Sequence, residues 1–279
     1  MNWQSEPRAG PPPDAAALIR YCTVAKRYRG RPVLRDISFE VPARSSTAIV
    51  GLNGVGKSTL LRCLLDFARP DAGQILIDGH DHADLHARAA LAWLPERFVP
   101  PGHLTGRESL HWLAGLRGSE LQEAALAQAA EGLGLERSAL DRRVGELSKG
   151  MTQKLGLISV SLSQCPIWVL DEPMSGLDPQ ARRDVVALLE AARRRGRTLL
   201  FTSHGLRDLP ALCDRLIVLH EGSVCFSGTP HELQARYPQA PTGLLQAAPD
   251  LEAAFLACIH EQDEQAAARR PEVGKGSAS

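Results

Sequence analysis

The chain has 279 residues, and its 32 Lys+Arg balance its 32 Asp+Glu to a formal net charge of zero. Hydrophobic residues make up 44 % and charged residues 23 %, the balance of a soluble globular protein rather than a disordered one. A neutral chain lacks the basic excess of a dedicated nucleic-acid binder, and no apolar run approaches the roughly 18 residues that span a bilayer.

Taken in chain order, Met1–Asp14 mixes charges and then places three prolines, without an apolar stretch. It is not a secretory signal, and residues 1–16 read as a disordered leader. Short β-branched runs at Ile19–Val24, Ile37–Val41 and Thr47–Val50 predict strands. Leu60, Leu61, Leu64 and Leu65 recur at helical spacing within Lys57–Asp66. Strands are predicted again at Gln74–Asp78 and Leu91–Leu94. Gly106–Arg117 and Ser119–Leu133 are rich in Ala, Leu, Glu and Gln, which predicts a helical insert.

A long helix follows Gly150 to about Ser163. Alternation then resumes with strand Ile167–Leu170, helix Gln180–Arg195, strands Thr198–Thr202 and Leu216–Leu219, and a Glu221-Gly222 hairpin into Val224–Phe226. Strands alternating with helices give an α/β class with a mostly parallel sheet, preceded by antiparallel strands and interrupted by the insert. A helix around Leu251–His260 precedes a polar tail, Glu261–Ser279, read as disordered. Six scattered cysteines without CxxC pairs read as buried free thiols in a reducing, cytosolic setting.

Gly51-Leu-Asn53-Gly54-Val-Gly56-Lys57-Ser58-Thr59 fits G-x-x-x-x-G-K-[ST], between a predicted strand and a predicted helix. Glycines let successive backbone N–H groups turn inward around an anion, and the helix aims its positive dipole end at phosphates. Lys57 is placed to neutralise the β/γ-phosphates and Ser58 to ligate Mg²⁺. Farther on, the apolar strand Ile167–Leu170 ends in Asp171-Glu172, followed by Pro173. Asp171 at a strand end suits Mg²⁺, and Glu172, where Pro173 turns the chain, suits polarising an attacking water. GTPases and small-molecule kinases generally lack the second carboxylate, so the pair points to ATP hydrolysis. His204 follows strand Thr198–Thr202, on the edge where open α/β sheets bind ligands.

Leu147-Ser148-Lys149-Gly150-Met151 completes the set. With the phosphate loop, Asp171-Glu172, Ser175-Gly176-Leu177-Asp178 and His204, in that order, the chain closely resembles an ABC-transporter ATP-binding subunit over Ile19–Gly228. The resemblance implies a P-loop ABC ATPase fold over residues 17–235, with a helical subdomain over about 97–165. Residues 236–279 would then form a short helical extension and tail. By resemblance Tyr28 stacks on adenine, Gly51–Thr59 binds phosphates, and Asp171 serves Mg²⁺. Glu172 is the general base, His204 contacts the γ-phosphate, and Asp178 lies at a dimer interface. Ser148 and Gly150 bind the γ-phosphate held by the opposite protomer. Ser148 is also a good helix N-cap, so the helix beginning there offers N–H donors to an anion.

Three features depart from or complicate the family pattern. Lys149 and Met151 stand where the signature usually has Gly and Gln, which places a positive charge near the γ-phosphate. Glu96, in Leu94-Pro95-Glu96, replaces a usual Gln and is assigned to Mg²⁺ or water. The basic run Ala191–Arg197 looks like a nucleic-acid patch but reads better as a solvated helix C-terminus. His80, His82 and His86, with Asp81 and Asp84, offer metal ligands, against the plainer reading of a solvated polar loop.

The expected function is the ATP-hydrolysing subunit of an ABC-2-type exporter. It uses ATP and Mg²⁺, works as a homodimer that ATP glues together, and drives a separate multi-spanning permease from the inner membrane face. The docking surface is expected around Glu96–Leu104, including Phe98, Val99 and Pro100-Pro101, and the helical insert. No nucleic-acid partner is expected. The alternatives are a soluble ABC-type ATPase acting on DNA or ribosomes, and a regulatory subunit without hydrolysis.

Overall fold

A computed structural model describes residues 17–238 and 251–268. The segment Ser46–Val50 forms strand β3, buried along its whole length, at the centre of a six-stranded sheet. Around it lie β1 (Ala17–Tyr28), β2 (Arg31–Pro42), α1 (Lys57–Leu64), β4 (Ala72–Ile77), β5 (His80–Asp81), α2 (Leu85–Ala89) and β6 (Leu91–Leu94). The insert supplies α3 (Gly106–Gly115), α4 (Glu123–Gly132), α5 (Arg137–Leu140) and α6 (Lys149–Leu162). The rest is β7 (Ile167–Leu170), α7 (Pro179–Arg194), β8 (Thr198–Ser203), α8 (Leu209–Leu212), β9 (Arg215–His220), β10 (Ser223–Gly228), α9 (Pro230–Arg236) and α10 (Leu251–Ala268).

The large sheet runs β10-β9-β3-β8-β7-β6, parallel except for the β9–β10 hairpin. A second, antiparallel sheet runs β2-β1-β4-β5. Because strand side chains alternate, the large sheet divides its core in two. Ala48, Val50, Leu94, Trp168, Leu170 and Phe201 face one apolar cluster, shared with α6, α7 and the insert's Leu110, Leu126 and Leu133. Ile49, Val169, Leu200, Ile217 and Leu219 face the other, shared with α1 and the antiparallel sheet. The insert therefore has no separate core. It is an extension of one sheet face.

The predicted elements form, with four differences that have physical causes. β1 and β2 run to 12 residues each because bulges, with Thr23 and Asp36 at positive φ, carry the pairing through polar positions that break the apolar alternation. The helix expected from Ser119 starts at Glu123. Short helices α2, α5, α8 and α9 were not anticipated, since four to seven residues give too little periodicity to read. The tail expected to be disordered from Glu261 is helical to Ala268. Leu251, Ala254, Phe255, Cys258 and Ile259 bury one face of α10, and His220 Nε2 pairs with Asp263 Oδ1 at 2.7 Å. Tyr237 also donates to Glu261, so tertiary contacts hold a helix whose polar end gave no signal. The leader and residues 269–279 lie outside the described residues.

The histidine loop also differs from its reading. His82 is buried beside Asp81, with Nδ1 and Oδ1 3.3 Å apart, while His80 and His86 are exposed. These three do not group into a metal site among the described residues. All six cysteines are free, and four are buried. Among the described residues no helix is long and apolar enough to cross a membrane. The basic run serves the fold: Arg193 pairs with Asp214, and Arg197 donates to the carbonyls of Gln164 and Cys165.

Asp214 fixes where β3 begins. Its Oδ2 accepts from Ser46 N at 2.9 Å, its Oδ1 meets Arg193 Nη1 at 2.6 Å, and its own N–H donates to Ser46 O. Asp214→Ala strips a buried N–H and an arginine of their acceptor. It is expected to lower unfolding stability by about 2–4 kcal/mol. Glu40→Ala, which breaks the exposed pair with Arg20, is expected to change it by less than about 1 kcal/mol. Urea denaturation of the two variants checks the contrast.

Candidate active site at the carboxyl edge of the sheet

β3 ends at Val50, and the chain turns back into α1 through Gly51–Gly56. A methyl group on Gly51 would lie 2.5 Å from the Leu219 carbonyl oxygen, so β9 approaches too closely for any side chain. Gly56, the residue capping α1, has φ 110°, and a methyl group there would lie 2.8 Å from the Leu34 side chain. Only glycine holds that conformation without strain. α1 has no side-chain cap and no acid in its first turn, so its leading N–H groups stay open to an anion.

A cavity of about 330 Å³ opens there, lined by Asn53, Gly54, Gly56, Lys57, Ser58, Thr59, Glu96, Glu172 and His204, with Val33 at its side. Residues separated by more than a hundred positions in sequence thus meet at one sheet edge. Lys57 is buried. Its Nζ donates to Gly51 O at 2.8 Å and Leu52 O at 3.2 Å, and lies 3.9 Å from Glu172 Oε1. Burial pushes the Lys57 ammonium below the usual lysine range, and the carboxylates of Glu172, Asp171 and Glu96 pull it back up.

β7 places Asp171 and Glu172. Asp171 is buried, and its Oδ1 accepts from Thr202 Oγ1 at 2.6 Å. Glu172 leaves the strand at φ 49°, a left-handed conformation that a non-glycine residue adopts only at a cost. The turn sends its side chain toward the cavity, where Oε2 meets His204 Nδ1 at 2.7 Å and His204 N at 3.2 Å. Thr202, absent from the sequence reading as a site residue, also accepts from Glu172 N at 2.8 Å. Its trace in the sequence is a hydroxyl near the end of a strand, two residues before His204.

Other candidates stand apart. Tyr28 is exposed at the end of β1, outside the cavity lining, with Lys26 Nζ 5.5 Å from its ring centre. Ser148 caps α6, accepting from Met151 N at 3.2 Å, as its residue type implies. Neither Ser148 nor Gly150 lines the cavity of its own chain. Asp178 caps α7 through Oδ1, which accepts from Gln180 N at 2.8 Å and Ala181 N at 2.9 Å. The Ala181 and Gln180 bonds hold its carboxyl below the usual range. Lys149 lays its stem across Gly176, within the chain's own turn.

Comparisons with known proteins place the chain in a family. Residues 34–175 match the ABC transporter family. The Nod factor export ATP-binding protein I of Burkholderia orbicola (strain AU 1054) is 37 % identical over 223 residues, covering 78 % of this chain and 73 % of that protein. A solved ATP-binding subunit of an ABC transporter superposes with TM-score 0.75 at 30 % identity, over 86 % of this chain and 99 % of that one. A dimeric ATP-binding cassette in a post-hydrolysis state with ADP and Pi gives TM-score 0.69 at 20 % identity, over 76 % and 98 %, which speaks to the fold. The chain belongs to the ABC transporter family, as an ATP-binding and ATP-hydrolysing subunit.

Proposed function

We propose that this chain is the motor of an exporter, hydrolysing ATP as a homodimer and driving a separate multi-spanning permease from the cytoplasmic membrane face. The observation that carries the chemistry is the meeting of Lys57, Glu172 and His204 around one cavity. The export assignment rests on the relative named above, and the subunit arrangement on a chain that supplies an ATPase without a described membrane-spanning helix. We take residues 17–235 as the ATPase unit, residues 97–165 as its helical subdomain, and the rest as a C-terminal extension.

In this reading the glycine loop and the open N-terminus of α1 hold the phosphates, and Lys57 leaves its loop carbonyls to neutralise them. Tyr28, exposed at a strand end, takes the adenine. Ser58, Asp171 and Glu96 offer only oxygen donors, the set a hard cation such as Mg²⁺ prefers. When bound, Mg²⁺ would neutralise phosphate charge. Glu172 accepts a proton from the attacking water. His204, now holding Glu172 Oε2, is placed to fix that carboxylate and the γ-phosphate together.

The second protomer follows from Ser148. The α6 N-terminus it caps does not line its own cavity, so its N–H donors and Gly150 are assigned to the partner's γ-phosphate. ATP then joins two copies because both gain contacts to one phosphate, and hydrolysis removes them. The permease docks in a mostly apolar groove of about 300 Å³ lined by Phe98, Val99, Pro100, Val144 and Leu147. Glu96 borders both this groove and the phosphate cavity, a direct link from nucleotide to docking surface. An intact Lys57, Asp171, Glu172 and His204 disfavour a regulatory subunit without hydrolysis.

Glu172→Gln keeps shape and hydrogen bonding but removes the base. Turnover is expected to fall at least about 100-fold with ATP affinity retained, measured by phosphate release and by binding of a fluorescent ATP analogue. Equal turnover in variant and wild type would sink the assignment. The same variant, with ATP and Mg²⁺, should accumulate as a dimer in light scattering. Adding Gly150→Asp, which sets a negative charge against the partner's phosphate, should return it to monomer. A dimer that ignores this second change would count against the shared-site geometry.

A further inference from the structure

β8, Thr198-Leu-Leu-Phe-Thr202-Ser203, is buried along its whole length and runs between β3 and β7 in the middle of the large sheet. Leu170 pairs with Phe201, so the next residues, Asp171 and Thr202, leave the sheet side by side. Thr202 is wholly buried, and its hydroxyl both donates and accepts. The single proton goes to Asp171 Oδ1 at 2.6 Å, and a lone pair accepts from Glu172 N at 2.8 Å. One oxygen atom therefore touches both members of the acidic pair.

The two bonds do different things. A donor on Oδ1 fixes the rotation of the Asp171 carboxylate and so the direction in which its other oxygen is presented. The acceptor for Glu172 N holds the left-handed turn at φ 49°, which aims Glu172 at Lys57 and His204 instead of continuing the strand. The neighbouring backbone is anchored elsewhere, with Asp171 N on Leu94 O. A purely structural role at this position asks only for a β-branched side chain of this volume, and valine satisfies that. The paired hydrogen bonds ask for a hydroxyl.

We propose that Thr202 is a positioning residue for ATP hydrolysis, one hydroxyl that sets Asp171 for the metal and Glu172 for the water at the same time. The proposal rests on the reading of Asp171 as metal ligand and Glu172 as base. A kinetic consequence follows. Loss of the hydroxyl impairs the chemical step and the response to Mg²⁺ while leaving the glycine loop, and hence nucleotide binding, in place.

The experiment uses the full chain as wild type, Thr202→Val, Thr202→Ser and Glu172→Gln. Turnover is measured against ATP and against Mg²⁺ concentration. Two further readouts do not depend on turnover: binding of a fluorescent ATP analogue without metal, and the Mg²⁺ concentration that half-saturates the rise in melting temperature of the nucleotide complex. Thr202→Val is expected to lose about 10–100-fold in kcat with KM for ATP changed by less than about threefold, and to need several-fold more Mg²⁺. Thr202→Ser, which keeps the hydroxyl, should recover most of both.

Wild-type kcat and Mg²⁺ response in Thr202→Val, beside an inactive Glu172→Gln, would overturn the proposal and leave the base assignment standing. An active Glu172→Gln would instead overturn the assignment beneath it. Equal losses in Thr202→Val and Thr202→Ser, with metal-free binding also lost, would mark a structural role and refute positioning. Should Thr202→Val fail to fold, Thr202→Cys, close in volume and a weak donor, is read by the same criteria.

Discussion

A buried ammonium group governs this structure. Lys57 sits at the centre of the sheet's carboxyl edge, and burial alone would favour losing its charge. Two carbonyls of the glycine loop and the nearby carboxylates hold it. That arrangement requires the loop to fold back on itself, which only Gly51 and Gly56 permit, given the approach of Leu219 and the φ of Gly56. It also requires acid from distant strands to arrive at the same edge. The parallel sheet meets this need, because every parallel strand ends on the same side, so β3, β7 and β8 deliver Lys57, Asp171-Glu172 and Thr202 to one place.

The same constraint explains how the insert belongs to the catalytic body. The insert helices pack on the sheet face that carries Val50, Leu94 and Leu170. α6 approaches so closely at Gly156 that a methyl group there would lie 2.4 Å from Leu94 and 2.9 Å from Phe98. Leu94 precedes Glu96, and Glu96 borders both the cavity and the apolar groove. Close-packed interiors transmit displacement instead of absorbing it. Glu96, just beyond β6, is thus the point where the cavity and the groove share a wall.

Much of this was legible from residue order. The strand–glycine loop–helix pattern at Thr47–Asp66 was legible because strand, turn and helix each leave a local signal, and the structure forms β3, the glycine turn and α1 there. Ser148 was readable as a helix cap from its type alone, and the structure places it so. Thr202 was not readable, because a hydroxyl at a strand end means nothing until Asp171 and Glu172 lie beside it. The histidine loop misled for a similar reason. Alternating histidines on a polar segment look solvated, yet the β5–α2 turn buries His82. The last part of α10 was missed because its partners, Tyr237 and His220, lie far away in sequence.

The sequence by itself determined the groups available to this protein: a glycine-rich loop with a lysine, an acidic strand end and a histidine beyond the next strand. These are local properties, carried by residue type and spacing. Only the tertiary structure decided which groups act on one another. It set Glu172 against His204 and Lys57, left Ser148 and Gly150 outside the lining of their own chain's cavity, and placed one threonine hydroxyl between both acids. Hydrogen bonds form within about 3 Å, whereas the residues that share them here are 31 and 32 positions apart, so chain folding alone brings them together.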